Sequence, residues 1–228
     1  MAKIQLIATG GTIAMSKDKF GKSVPAFSAN DLLSNLPKSH QEIQWAVLNF
    51  SNVASCNMSP DKMLALSMEV QNLLKDPEIQ GVIITHGTDT LEETAYFLDL
   101  TIDDPRPIIL TAAQRDASES DTDGPRNLKN AMLIALDKQA IRRGVLICFN
   151  EEIYAARDVR KLHTSQVNAF SSGNYGALGF LDGNRVIWNR RPALTVKLGT
   201  PKVLANIPIC KIYTGMKAAD LQYRWLST

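Results

Sequence analysis

The chain has 228 residues, 45% of them apolar, with 25 basic and 23 acidic side chains and a formal charge of +2. That length suits one large domain, or one domain with a fragment of another, and the apolar share is ordinary for a soluble globular protein with a sizeable core. Interspersed charges without a long Lys/Arg run exclude a nucleic-acid signature, no apolar run reaches membrane-spanning length, and three scattered cysteines (Cys56, Cys148, Cys210) argue against a disulfide framework or a zinc site.

Residues 4–8 are apolar and read as the first strand, which ends in Thr9-Gly10-Gly11-Thr12. This start does not resemble a secretory leader, so a cytoplasmic protein is expected unless a leader was removed, which would allow a periplasmic one. Paired glycines after a strand suit a tight turn with exposed backbone N–H groups. Without GxGxxG or a Walker lysine, that turn is not a phosphate cradle. Residues 15–27 are polar, with Gly21 and three lysines, and read as a mobile loop in the manner of a lid. Ser28-Ala29-Asn30 offers a helix cap ahead of Leu32, Leu33 and Leu36. Ile43, Trp45 and Val47 alternate as in a strand, and residues 51–58 follow as a loop. Ser59-Pro60 is a strong helix start, and Met63, Leu66, Val70, Leu73 and Leu74 give helical spacing before Pro77.

Residues 82–84 form a short apolar run beside Gly81 and read as a strand buried on both faces. It runs into Thr85-His86-Gly87-Thr88-Asp89-Thr90. Thr90 with Glu93 matches a capping box, so a helix should start there, with Leu91, Ala95 and Leu98 on one face and an end near Asp103-Asp104-Pro105. Residues 107–113 are another strand, residues 116–124 a polar loop, and Pro125 opens a helix carrying Leu128, Met132, Ala135 and Leu136. Residues 144–149 are the next strand. Apolar strands alternating with amphipathic helices make this an α/β fold, a mainly parallel sheet flanked by helices, with right-handed crossovers as the default. Beyond Asn150 the pattern loosens: residues 155–161 are charged, residues 168–179 read as loop, and only residues 207–213 resemble a further strand. This divides the chain into a domain over residues 1–190, a linker over 191–202, and the start of something new over 203–228. About 25 residues cannot bury a core alone.

Three threonine-bearing turns follow strands, around Thr12, Thr88 and Thr111. In open α/β sheets ligands bind at such carboxyl ends. A threonine hydroxyl is a weak nucleophile until a base takes its proton. Asp89 is adjacent to Thr88, and Lys161 is a later candidate. A lysine amine, near pKa ~10.4, is a poor base at neutral pH; Arg157 and Arg160, if close, would lower that value and Asp89 would raise it. Plainer readings stand beside these. Thr88 and Thr90 suit helix capping, Lys161 a solvated surface charge, and Ser55 a loop hydroxyl. His86 suits a hydrogen-bonded core position, and His40 and His163 exposed loops. Asp121 and Asp123 lack matching metal ligands elsewhere.

The segments Ala8-Thr9-Gly10-Gly11-Thr12-Ile13-Ala14 and Ile84-Thr85-His86-Gly87-Thr88-Asp89-Thr90-Leu91-Glu92-Glu93-Thr94-Ala95 resemble the two signatures of bacterial-type L-asparaginases. Asp123-Gly124-Pro125-Arg126-Asn127-Leu128, Arg157-Asp158-Val159-Arg160-Lys161 and Phe170-Ser171-Ser172-Gly173-Asn174-Tyr175-Gly176 follow in the same order. The resemblance implies Thr12 as the nucleophile toward the asparagine side-chain amide. It implies Thr88, Asp89 and Lys161 as a proton-handling cluster, with Asp89 also holding the substrate α-amino group. Ser55 falls where the α-carboxylate binds, Cys56 on the pocket wall, and Gly11 and Gly87 beside the substrate. Implied too are an acyl-threonine intermediate, no metal or cofactor, and a homo-oligomer, dimer or tetramer. L-glutamine is the alternative substrate.

Three departures matter. Residues 15–27 hold Phe20 and Phe27 but not the tyrosine the family supplies there. Cys56 replaces a longer polar residue. The family's smaller second α/β domain, which lends a glutamate to a neighbouring subunit, is largely missing. They motivate a rival expectation: a weak or inactive domain that binds acidic amino acids or serves as an assembly subunit.

Overall fold

A computed structural model describes residues 1–34, 36, 43–193, 196–205, 207 and 209–219. His40 lies outside the described residues. In chain order the elements are β1 (Ala2–Gly10), β2 (Met15–Lys17), β3 (Ser23–Pro25), α1 (Ala29–Ser34), β4 (Ile43–Val53), α2 (Pro60–Leu73), β5 (Ile79–Thr85) and α3 (Leu91–Thr101). There follow β6 (Ile108–Thr111), α4 (Gly124–Leu136), β7 (Val145–Phe149), β8 (Glu152–Ala155), β9 (Arg160–Lys161), β10 (Phe170–Ser171), β11 (Gly179–Asp182) and β12 (Arg185–Trp188). An eight-stranded sheet runs in the order β12-β11-β8-β7-β6-β5-β1-β4. Pairings from β4 through β7 are parallel; β8, β11 and β12 extend the sheet antiparallel. The expectation of a mainly parallel α/β sheet flanked by helices therefore holds.

Alternate residues of each central strand enter opposite cores, as the period-2 geometry of a strand requires. Ile4, Leu6, Ile83, Ile109 and Leu146 pack with α1 and α4, where Leu32, Leu128, Ala131 and Met132 are buried. Ile7, Val82, Ile84, Leu110 and Ile147 pack with α2 and α3, through Leu66, Val70, Leu91, Ala95 and Leu98. Each fully buried Leu or Ile side chain contributes about 1.5–3 kcal/mol of transfer free energy.

The helix placement corrects the expectation of uniformly right-handed crossovers. From β5 the chain steps to β6 and then β7 in one direction, yet α3 lies on one face and α4 on the other. Those two crossovers have opposite hands. The units through α1 and α2 share the hand of α3, so β6–α4–β7 is the exception. The loop before α4 makes the change of face. In it the buried Asp123 carboxylate accepts the backbone N–H groups of Gln114 and Arg115 and the Nδ2–H of Asn127, at 3.0–3.1 Å.

Other local expectations are revised. Residues 15–27 are not an irregular loop: β2 and β3 form a hairpin. It is latched where Ala117 N–H donates to Met15 O (3.0 Å) and Ser23 Oγ–H to Asp116 Oδ2 (3.0 Å). Burial alone would raise the Asp116 pKa, but hydrogen bonds from Ser118 and Ser23 prevail and lower it. β4 runs on through Val53, taking up the first three residues of the expected loop, Ser51 to Val53. Asn150 (φ 47°) and Glu151 (φ 68°) form the tight turn that sends β8 back along β7. The expected linker is tied down: Lys197 Nζ donates to Asp99 Oδ1 (3.1 Å), Leu198 N–H to Leu100 O (2.8 Å), and Gln71 Nε2–H to Thr200 Oγ1 (2.7 Å). The strand expected at residues 207–213 is not formed among the described residues, and Ile207, Ile209 and Ile212 are exposed. Among the described residues no helix is long and apolar enough to cross a membrane.

Candidate active site

β1 sits between β4 and β5, its successor in the sheet on one side and the strand after that on the other. That is a topological switch point, and the carboxyl ends of β1 and β5 open a crevice there. Gly10 (φ 106°) and Gly11 (φ 82°) end β1 in a conformation that disfavours any side chain. Space forbids one as well. A Cβ on Gly10 would lie 2.5 Å from the Val53 backbone, and one on Gly11 would lie 2.3 Å from Gly87 Cα and N. Bare backbone thus meets bare backbone, and the turn carrying Thr12 abuts the turn carrying Thr88. Gly11 N–H donates to Val53 O (3.0 Å) and Thr9 Oγ1–H to Thr85 O (2.9 Å), fixing the first turn to both neighbouring strands. Thr12 opens a 3-10 turn whose next residues, Ile13 and Ala14, are buried. Thr12 itself is half-buried.

The second turn is braced from below and from the side. His86 is fully buried; its Nδ1–H donates to Gly87 O (2.8 Å), which leaves Nε2 to accept from Thr94 Oγ1–H (3.1 Å). Burial depresses its pKa to about 4, so the ring is neutral. The core reading of His86 is therefore correct. Ser55, in a 3-10 turn after β4, lies against Gly87, where a Cβ would sit 2.5 Å from Ser55 Oγ. Ser55 Oγ accepts the Asp89 N–H (3.1 Å), and Thr90 Oγ1–H donates to Ser55 O (2.7 Å). Among the described residues no acceptor takes the Ser55 hydroxyl hydrogen. Cys56, next in the chain, is exposed with a free thiol.

Lys161 reaches the same turn from β9. Its Nζ lies 2.8 Å from Thr88 Oγ1 and 2.8 Å from Asp89 Oδ1. The lysine side chain is 14% exposed and that of Asp89 60%, so the cluster pairs a largely covered lysine with an open carboxylate. Arg157 and Arg160 turn to other partners, Asp158 at 3.2 Å and Glu92 at 3.8 Å. The reading of Lys161 as a solvated surface charge is thus overturned. A shallow pocket of about 320 Å³ lies alongside, lined by Asp89, Glu92, Glu93, Lys161 and the 162–164 segment.

Gly11, Thr12, Ser55, Cys56, Gly87, Thr88, Asp89 and Lys161 accordingly belong to one neighbourhood, drawn from the ends of β1, β4 and β5 and from β9. Thr111 does not join it: that hydroxyl donates to Cys148 O (2.8 Å) in the core. Thr90 stands at the head of α3, but its side-chain oxygen accepts no capping N–H; its hydroxyl donates instead to Ser55 O. Asp121 pairs with Arg115, and Asp123 is saturated by N–H donors. Among the described residues no group of His, Cys, Asp or Glu gathers in a metal-holding arrangement. Sequence reasoning missed Gln114, whose Nε2 donates to Thr164 O and Gln166 O (3.0 Å each), bracing the segment beyond Lys161. A glutamine at a strand end gives no spacing signal for such a role.

Comparison with known proteins shows what the chain as a whole is similar to. The family model for the asparaginase N-terminal domain matches residues 3–194. The chain belongs to the asparaginase family. It is 38% identical over 204 residues to a Haemophilus influenzae protein named "Probable L-asparaginase periplasmic", covering 88% of this chain and 58% of that one. It is 35% identical over 228 residues to "L-asparaginase 2" of Escherichia coli, covering 97% and 65%. A crystal structure described as a "Probable Cytoplasmic L-asparaginase" from Campylobacter jejuni superposes with a TM-score of 0.87 at 31% identity, covering all of this chain and 71% of that one. The chain thus spans less than two thirds of the length of these curated asparaginase-family relatives.

Proposed function

We propose that this chain carries the reaction centre of an amidohydrolase that converts L-asparagine to L-aspartate and ammonia through an ester on Thr12. The observation that carries the reading is the backbone contact of Gly11 on Gly87, which sets the Thr12 turn against the Thr88-Asp89-Lys161 cluster. Relatives named L-asparaginase support the choice of substrate.

In this reading Thr12 Oγ bonds to the amide carbon as its proton passes, through Thr88 and Lys161, to the amide nitrogen, and the carbonyl electrons move to oxygen. Backbone N–H groups of the two turns receive that oxyanion; one such donor is commonly worth ~3 kcal/mol. Collapse expels the amine with a proton as ammonia and leaves the acyl ester. Water then attacks the ester, releasing aspartate and restoring the hydroxyl. Thr88 and Lys161 carry protons between the leaving nitrogen, the water and the pocket, a contribution typically of ~10²–10⁴ in rate. Asp89 pairs with the substrate α-ammonium, and Ser55 donates its free hydroxyl hydrogen to the α-carboxylate. No step needs a metal or cofactor.

Glutamine is the second substrate. Relatives named "Glutaminase-asparaginase" from Acinetobacter glutaminasificans and Pseudomonas fluorescens, 36% and 35% identical, support it. A cytoplasmic homo-oligomer, dimer or tetramer, belongs to the same proposal, as does the division into a site-bearing domain over 1–190, a linker over 191–202 and a further segment over 203–228. Thr12→Ala and Thr88→Val, assayed by ammonia release from L-asparagine, test the centre. Undiminished turnover in either variant removes that residue's role. Calorimetric binding of aspartate without any turnover would favour an amino-acid-binding domain instead.

A further inference from the structure

We infer that Glu92 is a positioning residue that fixes Lys161 against Thr88. Glu92 lies in the first turn of α3, three residues beyond Asp89, and one helical turn brings both carboxylates to the side facing β9. Its Oε2 accepts the backbone N–H of Lys161, and its Oε1 lies 3.8 Å from Arg160 Nε. The Glu92 side chain is 18% exposed, so this is a packed contact rather than a solvent-borne one.

The geometry of β9 gives the contact its meaning. β9 is only two residues long and pairs with β10, with Lys161 opposite Phe170. The next ladder hydrogen bond is made by Leu162 N–H to Ala169 O (2.7 Å). Successive N–H groups of a strand point to opposite edges, so the Lys161 N–H turns away from β10 toward α3. Without an acceptor there it would be a half-buried donor without a protein partner, and β9 would be held along one edge only. Glu92 supplies the second edge. It does so from the first turn of α3, directly after the 3-10 turn that carries Thr88 and Asp89, the two groups the Lys161 amine must reach. Both ends of the lysine, its main chain and its Nζ, are thereby referred to one short stretch of chain. A side chain with four rotatable bonds holds a 2.8 Å contact only if its base is fixed in the same frame.

This inference rests on the reading of Lys161 as a proton carrier, and the test separates the two. Glu92→Ala removes the acceptor, whereas Glu92→Gln keeps a carbonyl oxygen in its place. Each is made alone and with Lys161→Met. Glu92→Ala should lower kcat for L-asparagine by about 10–10²-fold, the scale of an ångström misplacement, with KM little changed. Glu92→Gln should retain most of the activity. In the Lys161→Met background Glu92→Ala should add no further loss. Amide hydrogen exchange read by NMR should accelerate at Lys161 in Glu92→Ala but not in Glu92→Gln. The inference is overturned if Glu92→Gln is as damaging as Glu92→Ala, if the losses multiply with Lys161→Met, or if exchange at Lys161 is unmoved. Full turnover in Lys161→Met would sink the proton-carrier reading and this inference with it. Accelerated exchange with Lys161-dependent turnover supports both.

Discussion

Replacing Gly11 with alanine tests the contact on which the site is built. Its φ of 82° lies in the left-handed region, and holding an L-residue there costs roughly 1–2 kcal/mol. The new methyl would also sit 2.3 Å from Gly87 Cα and N. Neither atom is the end of a flexible side chain, so the two turns must part by about 1 Å to restore ordinary contact, at an overpacking cost of about 1–3 kcal/mol. The expected destabilisation is therefore about 2–5 kcal/mol, a large part of a typical total of about 5–15 kcal/mol. Separation on this scale costs on the order of 10²-fold in rate when the parted groups act together. Urea unfolding gives the first quantity and ammonia release at 25 °C the second. Gly183→Ala is the control: its φ is 64°, but nothing lies within 4 Å of the added carbon. It should lose roughly 1–2 kcal/mol and no turnover. If Gly11→Ala unfolds and turns over like the parent protein, the two turns do not depend on this contact and the site has been assembled wrongly.

Ser55→Ala should raise KM for L-asparagine more than it lowers kcat, because it removes the donor proposed for the α-carboxylate. It also strips Asp89 N–H of its acceptor, at about 1–3 kcal/mol of stability read by denaturant unfolding. Cys56→Gln should change the ratio of glutamine to asparagine turnover, measured as kcat/KM for both; an unaltered ratio would remove Cys56 from the pocket wall. Stability should fall with acid through His86. The folded-state pKa of about 4 lies below the ordinary imidazole value of 6.5, so the unfolded chain binds the proton first. The stabilisation is complete above pH ~6.5 and is lost as pH falls toward ~4, by about 3 kcal/mol in all. His86→Asn should flatten that part of the stability–pH curve, and an equally steep curve would contradict the buried neutral ring.

The strands that carry the site were legible because they are buried on both faces. Ile83, Ile84, Ile109, Leu110, Leu146 and Ile147 form uninterrupted apolar runs that no exposed segment tolerates. Their turns were legible as composition, since glycine and threonine cluster only where backbone and hydroxyl groups have work other than filling a core. β8, β11 and β12 escaped notice because each is four residues long and closed by a tight turn, although Gly183-Asn184 carries a hairpin signal between the last two. The hand of β6–α4–β7 could not be read: helical periodicity says which residues are buried, not which side of the sheet receives them. The meeting of Ser55, Gly87 and Asp89 was equally hidden, since sequence spacing carries no information about which strand ends are neighbours. The side-chain role of Thr90 was hidden too, since local pattern marks it as a cap and says nothing of the Ser55 carbonyl, from a distant loop, to which its hydroxyl donates.

The central place of β1 bears on how the protein is made. The nine-residue strand β1 is made before either of its hydrogen-bonding partners, β4 and β5, which lie tens of residues downstream. Until Thr85 has emerged, the nascent chain offers two open strand edges to any other polypeptide nearby, and long-range parallel pairing of this kind forms slowly. Synthesis that stalls between β4 and β5 should therefore yield a sticky, inert fragment, and the crevice at the ends of β1 and β5 is complete only once β9 has delivered Lys161.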